Sequence, residues 1–214
     1  MFGDPVTNPM GWEVGTIRDL AQDVKYGTSK PAEDDGEFVY LRMNNITYSG
    51  SMDFTSLKYI NVDTKDFAKY AVCKGDLLFN RTNSKELVGK TAVFKEDTPM
   101  IIAGYIIRVR VNERANSEYI SAFLNSQYGK NLLLDMCKAI VGQANINAQE
   151  LQNIKISMPP LDLQTQFSDF VEQVDKLKFV LQKAIEYIRL FVRFCYNGVM
   201  NTLIHKRKVM RCAH

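Results

Sequence analysis

The sequence predicts an α+β fold, a mixed α/β domain followed by one long, coiled-coil-like C-terminal helix, on three observations. From Trp12 to Met158, short apolar, β-rich runs alternate with Gly, Asn and Asp turns and with stretches of helical spacing. Pro159-Pro160 then closes that regime, because consecutive prolines donate no ladder hydrogen bonds and force the preceding residue to be extended. Beyond them, Phe167, Phe170, Val174, Leu177, Leu181, Ala184, Ile188, Phe191 and Cys195 step strictly by three and four, a heptad seam. The chain thus divides into an N-terminal extension (1–11), a domain (12–158), a long helix (159–204) and a basic tail (205–214).

Taken in order, the strands expected in the domain are Phe38 to Met43, Asp76 to Phe79, Thr91 to Phe94, Tyr105 to Val111 and Ile154 to Met158. Between the last two, Ser117 to Met136 sets Tyr119, Ile120, Phe123, Leu124, Leu132 and Leu133 at helical spacing, as two helices broken near Gly129. Asn147 with Glu150 three positions on forms a capping box for one more short helix. Asp162 is the expected N-cap of the long helix. Some 40 helical residues reach about 60 Å, whereas a domain of this size is about 40 Å across. The expectation is that a second helix, from another chain, covers the part of the seam that the domain cannot.

Composition narrows the function classes. Of 214 residues, 46% are hydrophobic and 11% aromatic, enough to fill a core. No apolar run approaches the roughly 18 residues of a membrane span, and Met1 to Trp12 lacks the basic and apolar regions of a signal peptide, so a cytoplasmic location is expected. Cys73, Cys137, Cys195 and Cys212 are scattered, with no CxxC pair and only His205 and His214 beside them, and are read as reduced thiols without metal-ligand spacing. The net charge is +3, but residues 13–158 hold 18 basic and 18 acidic side chains. The excess lies in the tail, at Lys206, Arg207, Lys208 and Arg211, so an anionic partner of the domain must meet local patches.

Motifs for catalysis are missing. The sequence has no GxGxxG or GxxxxGK[ST] phosphate cradle, no GxSxG elbow and no HExxH. Asn8-Pro9-Met10 and Met158-Pro159-Pro160 are not the (N/D)PP(Y/F) motif of an adenine methyltransferase, and Asp63-Thr64-Lys65 is only a fragment of a nuclease's carboxylate set. Binding is favoured over catalysis.

The candidate binding residues lie in turns between strands. Gly27-Thr28-Ser29-Lys30 combines a flexible backbone, two hydroxyls and an ammonium suited to phosphate, or is a plain turn. Arg42-Met43-Asn44-Asn45 places a guanidinium and amides that can pair bidentately with guanine and adenine edges, or is again only a turn. The stretch from Gly75 to Lys85 is an apolar strand followed by a donor-rich loop containing Arg81, Thr82, Asn83 and Lys85. With Lys90 and Lys95, residues 79–95 carry four basic side chains against one acidic. A solvated loop would look similar. Gly142-Gln143-Ala144-Asn145-Ile146-Asn147 is a further amide-rich loop, with Gln143 as its candidate contact.

In order and spacing these segments resemble one repeat of a Type I restriction-modification specificity subunit. The matching residues are Trp12-Glu13, Gly27-Thr28-Ser29, Tyr40 to Ile46, Gly75 to Arg81, Val88-Gly89-Lys90, Tyr119-Ile120 with Phe123-Leu124, Asn145-Ile146-Asn147, and Met158-Pro159-Pro160-Leu161. The resemblance covers residues 12 to about 204 and implies a target-recognition domain that reads double-stranded DNA, with a helix that measures the distance to a second such domain. It implies assembly with a modification subunit, which carries S-adenosylmethionine and methylates adenine, and with a restriction subunit; no cofactor is expected on this chain. Family members commonly hold two domain-plus-helix repeats, and this chain holds one. A homodimer of half-subunits with antiparallel helices supplies the second, unless the chain is cut from a longer parent. The competing readings are a protein-binding coiled-coil adaptor and the specificity part of a longer nuclease or methyltransferase fusion.

Overall fold

The computed structural model describes residues 1–83, 87–138 and 144–211, and for Asn83, Lys138, Ala144, Cys195 and residues 197–211 the backbone alone. Strand β1 (Glu13–Thr16) runs into α1 (Ile17–Leu20), a single turn whose Asp19 carboxylate accepts from the Thr16 N–H and hydroxyl at 2.8 and 2.7 Å. There follow β2 (Ala21–Tyr26), β3 (Phe38–Leu41), a 3-10 turn (Met43–Asn45) and β4 (Lys58–Ile60). Helix α2 (Thr64–Tyr70) starts at Asp63, whose side chain accepts from the Asp66 N–H. Next come β5 (Ala71–Val72), β6 (Leu77–Asn80), β7 (Thr82–Asn83), β8 (Thr91–Val93), β9 (Met100–Ile102) and β10 (Ile106–Val111). Helices α3 (Ser117–Asn125) and α4 (Gln127–Lys138) precede β11 (Ala144–Asn145), α5 (Ala148–Gln152), β12 (Lys155–Met158) and α6 (Leu161–Arg211). Among the described residues no helix is long and apolar enough to cross a membrane.

Two four-stranded sheets carry the domain. One has the order β2-β10-β6-β8, antiparallel throughout; the other has the order β4-β3-β9-β5, in which β3 and β9 run parallel. Strand pairs β1-β12 and β7-β11 complete the pairing. Both faces of the first sheet are covered at β6 and β8, which is why these strands read as continuous apolar runs and not as strict alternation. Leu77, Phe79, Ile107 and Val109 join Ile17, Leu20, Ile120, Leu124 and Leu133 from the helices in one core. Leu78, Ala92 and Ile106 point the other way, into a second core shared with Leu41, Val72 and Ile102 of the second sheet. A third, smaller core of Tyr40, Ile60, Ala71, Ile101 and Ala103 packs against Phe67 of α2.

On β10 the alternation that sends Ile107 and Val109 toward the helices sends Arg108 into the interface between the sheets, where it is fully buried. Its guanidinium donates to Asp23 on β2 at 2.6 Å and to the Ala71 carbonyl on β5, and it lies 4.0 Å from Asp76. Asp76 also receives Arg110 at 2.9 and 3.2 Å and the Cys73 N–H at 2.8 Å. Burial alone would raise the Asp23 pKa, yet its bond and attraction to Arg108, with Lys25 adding, hold it below the ordinary carboxylate value.

The long helix is anchored at its start. Gln164 is fully buried; its carbonyl accepts from the Asn116 N–H at 2.9 Å, and its amide donates to Pro159 and Arg114 carbonyls at 2.8 and 3.1 Å. The Phe2 ring packs edge-on against Tyr119 and Phe167, with centroids 4.7 and 5.3 Å apart, and the Tyr119 hydroxyl donates to the Ser157 carbonyl at 2.7 Å. Residues Met1–Ser168 accordingly form one compact unit and Asp169–His214 a second.

The structure corrects several sequence expectations. The N-terminal eleven residues are part of the compact unit through Phe2, and the Trp12 indole donates to the Phe2 carbonyl at 3.2 Å. Helix α6 opens at Leu161, so Asp162 lies in its first turn and is not the cap; a proline serves there because the first helical residues have no N–H partner. The break between α3 and α4 falls at Ser126, not Gly129. The Ser126 hydroxyl donates to the Phe123 carbonyl at 2.6 Å and accepts from the Gly129 N–H at 3.1 Å. Gly129 has a different task, since a Cβ there would lie 2.3 Å from the Phe123 carbonyl oxygen. The strand expected over Phe38 to Met43 ends at Leu41, where the 3-10 turn begins. Strands β1, β2, β4, β5, β7, β9 and β11 and helices α1 and α2 were not anticipated.

Two measurements test this packing. Arg108→Met leaves Asp23 without its buried cation, and unfolding free energy should fall by about 3–5 kcal/mol at unchanged urea m value; a loss below about 1 kcal/mol is the size of an exposed pair and would contradict the burial. Burial pushes the Tyr119 pKa from 10.0 up to about 12. An acid whose folded pKa is raised gives its full stability below the unfolded value and loses it as pH climbs through the window from 10 to about 12. Tyr119→Phe should therefore flatten the alkaline stability profile across that window, and curves of equal slope would contradict the assignment.

Candidate functional site

A groove of about 630 Å³ opens where the ends of β2, β3 and β6 meet the turn between β9 and β10. Residues 28–32, 42–44, Arg81 and Tyr105 line it, with Tyr40, Ala103 and Gly104 at its floor, and no acidic side chain is among these lining residues. The sequence segments around Thr28, Arg42 and Arg81, some 14 and 39 positions apart by number, thus come together in space.

Backbone stitching explains the first wall. The Thr28 N–H donates to the Ile102 carbonyl at 2.9 Å and the Gly104 N–H returns a bond to the Thr28 carbonyl at 2.8 Å. This approach is possible only with glycine at position 27, where a Cβ would lie 2.1 Å from the Ile102 oxygen. The Tyr40 hydroxyl lies 3.0 and 2.9 Å from the Thr28 and Lys30 carbonyls and donates to them; burial pushes its pKa up. Thr28 itself is buried, its hydroxyl accepting from the Lys30 N–H at 3.2 Å. Ser29 and Lys30 are exposed at the rim. The Lys30 ammonium pairs with Asp66 of α2 at 2.7 Å, and this bond raises its pKa.

The second wall is the 3-10 turn. Asn45 is buried, accepting from the Arg42 N–H at 2.9 Å and donating to the Asp53 and Ser56 carbonyls at 2.8 and 3.2 Å. Its amide is consumed in holding the turn, so the expectation that it reads a base is corrected. Asn44 beside it is exposed. Arg42 gives one bond to the Ser56 carbonyl at 3.2 Å, and its buried Nε has no hydrogen-bond partner among the described residues.

Arg81 follows β6 on the third side. Its backbone is fixed by the Tyr105 carbonyl at 3.0 Å and the Ile146 N–H at 2.9 Å. Its guanidinium lies 4.8 Å above the Tyr26 ring, with Nε buried and without a hydrogen-bond partner among the described residues. The Tyr26 hydroxyl accepts from the Ala148 N–H at 2.8 Å, which ties the stack to the start of α5. Guanidinium edges held in this way present paired donors in a fixed plane, a geometry for two acceptors on a base edge or for a phosphate.

Other sequence candidates lie elsewhere. Thr82 is buried in the β7-β11 pair, 3.3 Å from Asn145, and does not line the groove. Lys90 lines a neighbouring pocket and donates to the Met43 carbonyl at 2.6 Å. Lys85 and Gln143, and the Asn83 side chain, lie outside the described residues. Tyr26, Tyr40 and Tyr105 are site residues that sequence reasoning missed. The position of a tyrosine directly before the Gly27 turn was the available signal for Tyr26. Cys73 and Cys137 are thiols and not half-cystines, and no group of His, Cys, Asp or Glu among the described residues could hold a metal ion.

On the seam, Phe167 is half-buried and packs edge-on against Phe2 of the domain, in the first two turns of α6. Phe170, Leu177, Leu181, Ile188 and Phe191 are exposed by 54 to 68%, Ala184 is exposed and Val174 is half-buried. The Cys195 side chain lies outside the described set. A second apolar stripe, Phe179, Tyr187, Leu190 and Phe194, lies about a third of a turn away and is also exposed.

Residues 9–187 match the family model for the Type I restriction modification DNA specificity domain. The chain is 30% identical over 184 residues to a putative type I restriction enzyme specificity subunit, MjaX, of Methanocaldococcus jannaschii, covering 84% of this chain and 43% of that protein. It is 26% identical over 161 residues to the EcoKI specificity subunit of Escherichia coli, covering 74% of this chain and 34% of that protein. The fold is similar to that of the HsdS subunit from Thermoanaerobacter tengcongensis, with a TM-score of 0.57 at 18% identity over 82% of this chain and 40% of the other. The chain spans less than half the length of these relatives.

Proposed function

Because the chain belongs to the Type I restriction modification DNA specificity domain family, we propose that its groove reads one half of a bipartite DNA target. The observation that carries this reading is the acid-free groove in which Arg42 and Arg81 converge with exposed Ser29 and Asn44. A guanidinium stacked on Tyr26 is pre-oriented to meet guanine O6 and N7, and the Asn44 amide can meet an adenine edge. Ser29 and the Lys30 segment suit the flanking phosphates. The domain's charge balance leaves long-range attraction weak, so affinity rests on these contacts.

In this reading the chain is a non-catalytic DNA-binding subunit. Catalysis resides on a separate modification subunit, which carries S-adenosylmethionine and methylates adenine, and on a restriction subunit. The second half-target is read by a second copy, joined through the α6 seam. Antiparallel pairing gives two-fold symmetry, and symmetry in the protein requires a palindromic, gapped target whose spacing follows the helix length. The second stripe at Phe179, Tyr187, Leu190 and Phe194 stays uncovered when two helices pair, and it offers the modification subunit an apolar face.

Arg81→Ala should weaken binding to duplex without unfolding the chain. If Arg81 reads a guanine, about 1–3 kcal/mol of discrimination disappears at one position; if it touches phosphate, all sequences weaken alike. Unchanged affinity in fluorescence anisotropy would remove the groove from the interface. For the assembly, sedimentation of the wild type and of Leu177→Asp with Leu181→Asp should show a dimer reduced to a folded monomer. A wild type that is monomeric at tens of micromolar would contradict self-pairing.

A further inference from the structure

A second pocket, of about 240 Å³, adjoins the groove through the Met43–Asn45 turn. Met43 and Asn44 line the groove, while the Met43 carbonyl accepts from Lys90, which lines the pocket. Lys130, reaching in from α4, is the second cation: its ammonium donates to the Tyr48 carbonyl at 3.0 Å and sits 3.6 Å from the Tyr48 ring centre. The amides of Gln127 and Asn131 complete the polar wall, and no acidic side chain is among the described lining residues.

Two half-buried ammonium groups without a carboxylate are an expensive way to tie down one loop, since each cation is desolvated. Burial depresses the pKa of both lysines, in keeping with that geometry. Each has three N–H donors and gives one to a backbone carbonyl, so further donors are available to a ligand. An anion with several acceptor oxygens offsets the desolvation of both cations and uses the spare donors.

We propose that Lys90 and Lys130 seat one phosphate group of the DNA backbone, beside the bases that the groove reads. This rests on the DNA-recognition reading above. Lys90 of the pocket is bonded to the carbonyl of Met43, a residue that lines the groove, so a duplex held at the groove brings its backbone near the pocket. The role is sequence-independent and fixes register, as phosphate contacts do.

The test is the salt dependence of binding to a random-sequence duplex by the full chain. Each lost phosphate contact lowers the slope of log affinity against log salt by about 0.9. Lys130→Gln should show that drop, Lys90→Gln the same drop independently, and Lys130→Arg should restore the wild-type slope. Weaker binding at an unchanged slope, with wild-type thermal unfolding, would reduce the lysines to loop ties and overturn the proposal. So would Lys130-dependent broadening of inorganic phosphate in phosphorus NMR alongside an unchanged DNA slope, which would mark a free-phosphate site. A wild type that binds no duplex at all overturns the DNA reading and this proposal together, whereas normal wild-type binding with unaltered variants overturns the proposal alone.

Discussion

Arg108 lies fully buried between the two four-stranded sheets, its guanidinium shared among Asp23 on β2, Asp76 ahead of β6 and the Ala71 carbonyl on β5. A buried cation is tolerated only where its partners are in place, so this one side chain requires four strands from two sheets to meet in a single arrangement. The register that results sets Ile107 opposite Tyr26 and Ile106 opposite Asn80. Tyr26, Arg81 and Tyr105 therefore emerge at the same end of the sheet, where Gly27 lets the next segment cross close over Ile102. The groove is a consequence of the strand register that Arg108 enforces.

The parts of this fold that were legible in the sequence are those governed by short-range rules. Pro159-Pro160 marked the passage from sheet to helix, and the Asn147 side chain caps α5 with Glu150 closing the box at 2.8 Å. The apolar runs at Leu77 to Phe79 and Ile106 to Val109 were readable because both faces of their sheet are covered. Strands β1 and β2 were missed because their side chains are mostly exposed or half-buried and carry Gly, Asp, Gln and Lys, which resemble a loop. The pairing of β1 with β12 spans nearly the whole domain, and no local signal reports it.

The binding residues divide along the same line. Turn composition located the segments at Thr28, Arg42 and Arg81, and the structure gathers all three around one groove. It could not tell which side chains face outward. Asn44 and Asn45 are neighbours of identical chemistry, yet one is exposed and the other is consumed by Asp53 and Ser56. Thr82 turned inward for a like reason, through pairing with a strand 62 positions later in the chain. Asp76, read as the first residue of a strand, is instead the hub for Arg110 and the Cys73 N–H, a long-range role that composition does not encode.

The long helix joins both halves of the account. Its first turns are held to the domain by Gln164 and Phe167. The central claim is that the groove bounded by residues 28–32, 42–44, Arg81 and Tyr105 is the surface that meets DNA. Zero-length ultraviolet crosslinking of the full chain to a duplex, mapped by mass spectrometry, measures this most directly. The account predicts crosslinked peptides containing Tyr105 and the 28–32 and 42–44 segments. Crosslinks confined to α6, or to the face of α3 and α4 away from the groove, would contradict it.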